Sequence, residues 1–288
     1  MSGSVIVGYD GSEGSTHALR WAAQAAKDRG RTLEVITTWT MPAADLGIGA
    51  PGSLQEELVE ELRQEAQATN DQGVQIAADV GVNAMGMIVV GRTAAALVKR
   101  SEGAEMAVVG SHGTGGLTGF LLGSVSRQVA THARCATVVV RPLAPGAEGI
   151  VVGVDGSPHS LKGLAWAFEQ ASFAQQALHV LHSWEIPPTW SMVEVPSYEP
   201  EVLIRDYGNT ELRETSEAMS GFREEYPDVK VRQEVVKGSP VKSLVKASEG
   251  AALLVVGSRG LGGFRGLLLG SVSHAVVHKA ACSVAVVP

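Results

Sequence analysis

The chain writes one pattern twice, and that duplication limits the fold more than any other feature. Val5-Ile-Val-Gly8-Tyr-Asp10-Gly-Ser12 returns as Val151-Val-Gly153-Val-Asp155-Gly-Ser157. Ala18-Leu-Arg-Trp21-Ala returns as Gly163-Leu-Ala-Trp166-Ala, and Trp39 returns as Trp184. Leu97-Val-Lys-Arg-Ser-Glu-Gly103 returns as Leu244-Val-Lys-Ala-Ser-Glu-Gly250. The offset between copies drifts by only two residues from Asp10/Asp155 to Gly110/Gly257. A period this long marks two whole domains of one fold, and 288 residues suit two domains. Domain 1 is expected over 1–142, a Pro/Gly/Ala-containing linker over 143–148, and domain 2 over 149–288.

Within each copy, strand and helix signals alternate. Ser4–Tyr9 is apolar and β-branched, as a buried parallel strand requires. From Ser12 or Glu13 to Arg29, apolar residues recur at helical spacing, and Gly30 is placed to end the helix. Leu33–Trp39 reads as a second strand and Met41–Gly52 as a loop. Leu54, Leu58, Leu62, Ala66, Thr69, Gly73, Ile76 and Val80 then step by three and four. Val74–Val80 alone resembles a strand. Its counterpart closes the helical run Glu201–Glu225, so the helix is carried to about Asp79 with Gly81 as its stop. Met85–Val90 is the third strand, matching Arg232–Val236. Thr93–Glu102 is a short helix, Met106–Val109 the fourth strand, Ser124–His132 a helix and Ala136–Val140 the last strand. The fold class is therefore α/β: two tandem doubly wound domains, each with a five-stranded parallel sheet between helical layers. The recurring tryptophans read as packing.

Between the fourth strand and the next helix lies Gly110-Ser-His-Gly113, then nine residues, then Gly123-Ser124-Val125-Ser126. The second copy has Gly257-Ser-Arg-Gly260, nine residues, then Gly270-Ser271-Val272-Ser273. Glycines let backbone N–H groups approach an anion, and a helix start adds positive partial charge, so both copies read as phosphate cradles. A tight connection needing positive φ is the plainer alternative. Ligands of doubly wound sheets bind beyond the carboxyl ends of the strands, where strand order reverses. A reversal between strands one and four would bring Asp10 and Gly110 into one crevice.

Asp10 and Asp155 are suited either to meet a ribose hydroxyl or adenine amine, or to cap the following helix. Ser12 and Ser157 read as helix caps. Ser124 and Ser271 are N-cap candidates that a phosphate at the helix start would also meet, with Ser126 and Ser273 close by. His112 and Arg259 share a loop position, near phosphates or in solvent. His274 and His278 lie four apart on one helical face, but no third ligand accompanies them and the first copy has Arg127 and Thr131 there.

Composition narrows the function classes. Net charge is −7, and neither half is basic, so no nucleic-acid surface is expected. No apolar run approaches the ~20 residues of a membrane span. Met1–Val5 lacks a cationic start before an apolar stretch, so no secretory signal is expected and the cytoplasm is the expected compartment. Cys135 and Cys282 precede the last strand of each copy, as small buried side chains do. There is no Walker loop, no Gly-x-Gly-x-x-Gly after the first strand, and no nucleophile elbow.

These motifs resemble the universal stress protein family, and the whole chain resembles its tandem form. The Gly-x2-Gly-x9-Gly-[Ser/Thr] loop joined to an Asp after strand one is similar to that of the ATP-binding members. The resemblance implies strand order 3-2-1-4-5, an adenine nucleotide alpha hydrolase-like fold, and ATP, with Mg²⁺ accompanying it, in each crevice. Asp10 and Asp155 would meet adenosine, beside Gly8 and Gly153. Backbone near Thr38 and Ser183 would meet adenine. Gly110, Gly113, Gly123, Ser124, Val125 and Ser126 would hold ribose and phosphates in one copy. Gly257, Gly260, Gly270, Ser271, Val272 and Ser273 would do so in the other. Many members carry Arg after the second glycine, where Thr114 and Leu261 stand here, and Cys-Pro where Cys135-Ala and Cys282-Ser stand. Family members associate through their last strands, so Val138–Val140 and Val284–Val287 are pairing candidates, and a homodimer of tandem chains is expected. The implied function is a regulatory, stress-responsive nucleotide sensor with an unidentified protein partner. The alternatives are a slow ATP-hydrolysing or adenylyl-transferring enzyme, or a nucleotide-independent interaction module. The Arg259 site is expected to be the tighter.

Overall fold

The structure, a computed structural model, describes residues 3–41, 52–113, 122–185, 200–261 and 268–288. The 42–51 part of the expected loop and Thr114 lie outside the described residues. Internal contacts divide the chain into Met1–Pro142 and Leu143–Pro288.

The N-terminal unit runs β1 (Ser4–Gly8), α1 (Glu13–Arg29), β2 (Leu33–Trp39), α2 (Gly52–Val80), β3 (Ala84–Val90), α3 (Thr93–Arg100), β4 (Ala104–Gly110), α4 (Ser124–His132) and β5 (Ala136–Val140). The C-terminal unit runs β6 (Ile150–Val154), α5 (Pro158–Ala174), β7 (Leu178–Trp184), α6 (Pro200–Glu225), β8 (Val231–Lys237), α7 (Pro240–Ser248), β9 (Leu253–Gly257), α8 (Ser271–Lys279) and β10 (Ser283–Val287). The strand order is β3-β2-β1-β4-β5 in the first unit and β8-β7-β6-β9-β10 in the second. All pairings within the units are parallel. The expected order 3-2-1-4-5 therefore stands in both.

Local chemistry explains the element ends. The Ser12 hydroxyl accepts the Ser15 N–H at 3.2 Å and caps α1; Ser157 does the same for α5 through Ser160 at 3.2 Å. Such a cap contributes about 1 kcal/mol. Gly30 ends α1 at φ 60°, a conformation glycine adopts without steric penalty. α2 continues as one helix through the stretch that locally resembles a strand. α3 stops at Arg100, two residues short of the expected end, and β4 begins at Ala104, two residues before the expected start. The Ser101 backbone turns αR there, and its hydroxyl accepts the Arg134 N–H at 2.9 Å.

The core is built from strand side chains buried on both sheet faces. Val5, Ile6, Val7, Met106, Ala107 and Val108 are fully buried in the first unit. In the second, Phe168 stacks on Phe222 with ring centroids 5.5 Å apart. Each such buried Val, Ile, Met or Phe side chain contributes roughly 1.5–3 kcal/mol. Trp184 is buried, whereas Trp21, Trp39 and Trp166 are half-buried. Both cysteines are buried, and neither forms a disulfide. Burial pushes the Cys135 thiol up to about 12.

Candidate functional site

Because β1 pairs directly with β4, the chain reverses between them and opens a crevice at their carboxyl ends. β6 and β9 repeat this in the C-terminal unit. The first crevice has a volume of about 410 Å³ and the second about 540 Å³. Gly8, Asp10, Thr38, Gly110, Gly113, Gly123, Ser124, Val125 and Ser126 all line the first. Gly153, Asp155, Ser183, Gly257, Gly260, Gly270, Ser271, Val272 and Ser273 all line the second. Every expected site residue is thus gathered into its own unit's crevice.

The aspartates face the glycine loop. Asp10 Oδ1 accepts the Ser12 N–H at 3.1 Å and the Ser12 hydroxyl at 2.5 Å. Asp155 Oδ1 accepts the Ser157 N–H at 3.0 Å, and its Oδ2 accepts the Leu261 N–H at 3.0 Å. A Cβ on Gly113 would stand 2.7 Å from Asp10 Oδ2, and one on Gly260 only 2.3 Å from Asp155 Oδ2. A side chain at either position would push into the carboxylate. For Asp155, burial raises the carboxyl pKa, but donation from Ser157, the Leu261 amide and Ser160 outweighs it and holds the group below its ordinary range. The aspartates are turn acceptors, and the capping role belongs to Ser12 and Ser157.

The N-cap reading of Ser124 and Ser271 is corrected. The caps are Gly123 and Gly270, with no side-chain cap bond at either, and the serines occupy the first helical position. The first amides of α4 and α8 have no acceptor within their own helix and open onto the crevice. The Ser126 hydroxyl is buried and donates to the Gly110 carbonyl at 2.5 Å; Ser273 donates to the Gly257 carbonyl at 2.6 Å. These hydroxyls fasten the helix start to the strand end, so Ser126 and Ser273 face the crevice with backbone amides in hand. Gly8 and Gly153 have a packing reason: a Cβ there would lie 2.9 Å from a Leu97 or Leu244 methyl.

Sequence reasoning missed several lining residues. Ser15 and Ser160 donate back to the Ser12 and Ser157 carbonyls, and their Oγ atoms also accept the Asp10 and Asp155 N–H groups at 3.3 Å. The signal was there: Ser-x-x-Ser recurs at the same place in both copies. Leu97 and Leu244 floor the crevices. Thr38 and Thr93 hydroxyls meet at 2.6 Å, while Ser183 donates to the Gly238 carbonyl at 2.6 Å. These bonds join the end of the second strand to the start of the third helix.

The sequence profile described as the universal stress protein family matches residues 1–141 and again 147–288. The chain belongs to the universal stress protein family. Universal stress protein Rv2005c of Mycobacterium tuberculosis is 35% identical over 289 residues, covering 96% of this chain and 94% of that one. A universal stress protein of Mycolicibacterium smegmatis is 34% identical over 306 residues, covering 98% and 96%. A solved universal stress protein from Archaeoglobus fulgidus superposes with a TM-score of 0.69 over 100% of this chain and 98% of that one. At 20% identity that likeness speaks to the fold alone. No described helix is long and apolar enough to cross a membrane.

The two universal stress units line their crevices differently. His112 bonds the Ser111 hydroxyl through Nδ1 at 3.0 Å, and its buried Nε2 has no hydrogen-bond partner among the described residues. Arg259, its counterpart, is exposed at the crevice. Its charge reaches the first turn of α5: His159 is held below its ordinary range by burial first, then by Arg259 and Lys162. The C-terminal crevice therefore carries more positive charge at its mouth. His274 and His278 lie side by side on α8 with ring centroids 4.7 Å apart and planes tilted by 44°.

Proposed function

We propose that each unit binds an adenine nucleotide, ATP foremost, and that the protein is a nucleotide-responsive regulator. The observation that carries this reading is the side-chain-uncapped start of α4 and of α8, set across each crevice from an aspartate. A phosphate suits the open amides and positive dipole end of the helix, and a carboxylate suits the hydroxyls and amine of a nucleoside. A nucleotide carries both groups. Among the described residues no lysine lines either crevice, so backbone donors carry most of the binding. Mg²⁺ enters with the nucleotide, held by its phosphates. Nucleotide stabilises one conformation or assembly, and a partner protein reads that state. The tandem chain acts in the cytoplasm, as a dimer.

Calorimetry and thermal melting with ATP test this. Binding near two equivalents and a raised melting temperature are expected, both lost in Gly113→Ala plus Gly260→Ala. Absence of binding, or unchanged binding in the double variant, refutes the reading. Prolonged incubation with ATP and Mg²⁺ addresses the enzymatic alternative: ADP or AMP forming well above background makes the protein an enzyme.

A further inference from the structure

The two units diverge at the opposite, amino-terminal edge of their sheets. In the N-terminal unit this edge is closed by ion pairs. Arg100 on α3 grips Glu34 on β2 through Nε at 2.6 Å and Nη2 at 2.8 Å. Ser4 on β1 donates to the same carboxylate at 2.8 Å. Arg29 and Arg31, at the end of α1, both reach Glu105 on β4, at 2.9 and 2.5 Å. Glu34 is almost fully buried beneath these bonds.

In the C-terminal unit the whole network is gone. Strand register and the repeated Leu-Val-Lys motif place Gly149 where Ser4 stands, His179 for Glu34, and Ala247 for Arg100. By the same alignment Gln176 stands for Arg31, Ala174 for Arg29 and Ala252 for Glu105. Each change shortens the side chain or removes its charge. In their place lies a cavity of about 770 Å³, larger than either nucleotide crevice. Gly149, Gln176, His179 and Ala247 all line it. Its volume falls in the range of small-molecule sites.

Its lining states a chemistry. Lys230 and Glu148 stand at the cavity, and among the described residues neither side chain has a hydrogen-bond or ion-pair partner. The other charged groups are engaged. Arg232 pairs with Glu234 at 2.6 Å, His179 faces the same carboxylate at 2.9 Å, and Asp228 accepts from Ser172 at 2.8 Å. α5 and α7 both end here, and helix C-termini favour a cationic group. One unpaired ammonium and one unpaired carboxylate complement a molecule that bears both charges.

We infer that this edge of the C-terminal unit is a second ligand site, for a small zwitterion of the free amino-acid class. Its carboxylate pairs with Lys230 and its ammonium with Glu148. The site is separate from both nucleotide crevices, and in the N-terminal unit the Glu34 and Glu105 ion pairs occupy the equivalent edge.

The test titrates the full-length protein by calorimetry with L-glutamine and L-arginine as zwitterions, citrate as an anion alone and spermidine as a cation alone. Saturable binding of at least one amino acid, at one equivalent, is expected. Lys230→Met and Glu148→Gln should each weaken it at least tenfold. Ala247→Arg combined with His179→Glu rebuilds the closure of the N-terminal unit and should abolish it. If that variant fails to fold, the two exposed single substitutions still decide the matter. Binding of neither amino acid overturns the inference. So does binding of citrate or spermidine as tight as that of the zwitterion, or unchanged affinity in Lys230→Met. ATP titrations on the same variants keep the two sites distinct, because these residues lie outside both crevices.

Discussion

Asp155 Oδ2 accepts the backbone N–H of Leu261 at 3.0 Å, across 106 residues of chain. This single bond joins the end of the first strand of the C-terminal unit to its glycine loop. It fixes the carboxylate at the mouth of the crevice and explains why the residue before Leu261 is glycine.

Separate Gly113→Ala and Gly260→Ala proteins should lose nucleotide affinity unequally. The added methyl meets the carboxylate at 2.3 Å in the C-terminal unit and at 2.7 Å in the N-terminal one. At least a tenfold loss is expected at each site, larger at Gly260, with the wild-type C-terminal site the tighter through Arg259. Calorimetric titration of each single variant measures both affinities, and equal losses would contradict the assignment.

The depressed Asp155 pKa makes a prediction about acid. A carboxyl whose folded pKa lies below its ordinary value near 3.8 adds stability above that value and loses it as pH falls through the folded pKa. Asp155→Asn should therefore flatten the fall in stability below about pH 4. NMR of the carboxyl carbon should show Asp155 titrating below an unstructured aspartate, and a normal midpoint would refute this.

Arg100→Ala removes both bonds that neutralise buried Glu34. The guanidinium is the main reason Glu34 sits below its ordinary range, against the opposing effect of burial. Stability at neutral pH should drop by about 2 kcal/mol, since a charged acceptor loses its partner while Arg100 itself is half exposed. Urea melts read the change. Glu34→Gln on the Arg100→Ala background should restore part of it, because no buried charge then remains.

Cys135 should resist thiol reagents in the folded protein. Burial holds its thiol up at about 12, so the reactive thiolate is scarce at neutral pH. Ellman's reagent should label it only after unfolding; rapid labelling of native protein would show that the last-strand region opens.

What the sequence made legible was whatever the duplication repeated. Val74–Val80 is ambiguous alone, and the second copy resolved it as helix because its partner closes a long helical run. The crevice residues were readable because Asp10/Asp155 and Gly110/Gly257 end neighbouring strands in both copies. The amino-edge pairs were not readable. Arg100 and Glu34 lie 66 residues apart and Arg31 and Glu105 74 apart, and no local pattern links them. The cap of α4 was misplaced by one residue for a related reason. The buried Ser126 hydroxyl bonds the Gly110 carbonyl, and that distant tie sets where the helix begins.

The glycine caps of α4 and α8 also bear on motion. A nine-residue helix whose first turn lacks a side-chain acceptor frays readily at that end. An anion seated there supplies the missing acceptors and turns a fraying end into a fixed one. Amide exchange at Val125, Ser126, Val272 and Ser273 should then report occupancy of each unit separately. One deuterium experiment would count filled sites and tell which unit holds which.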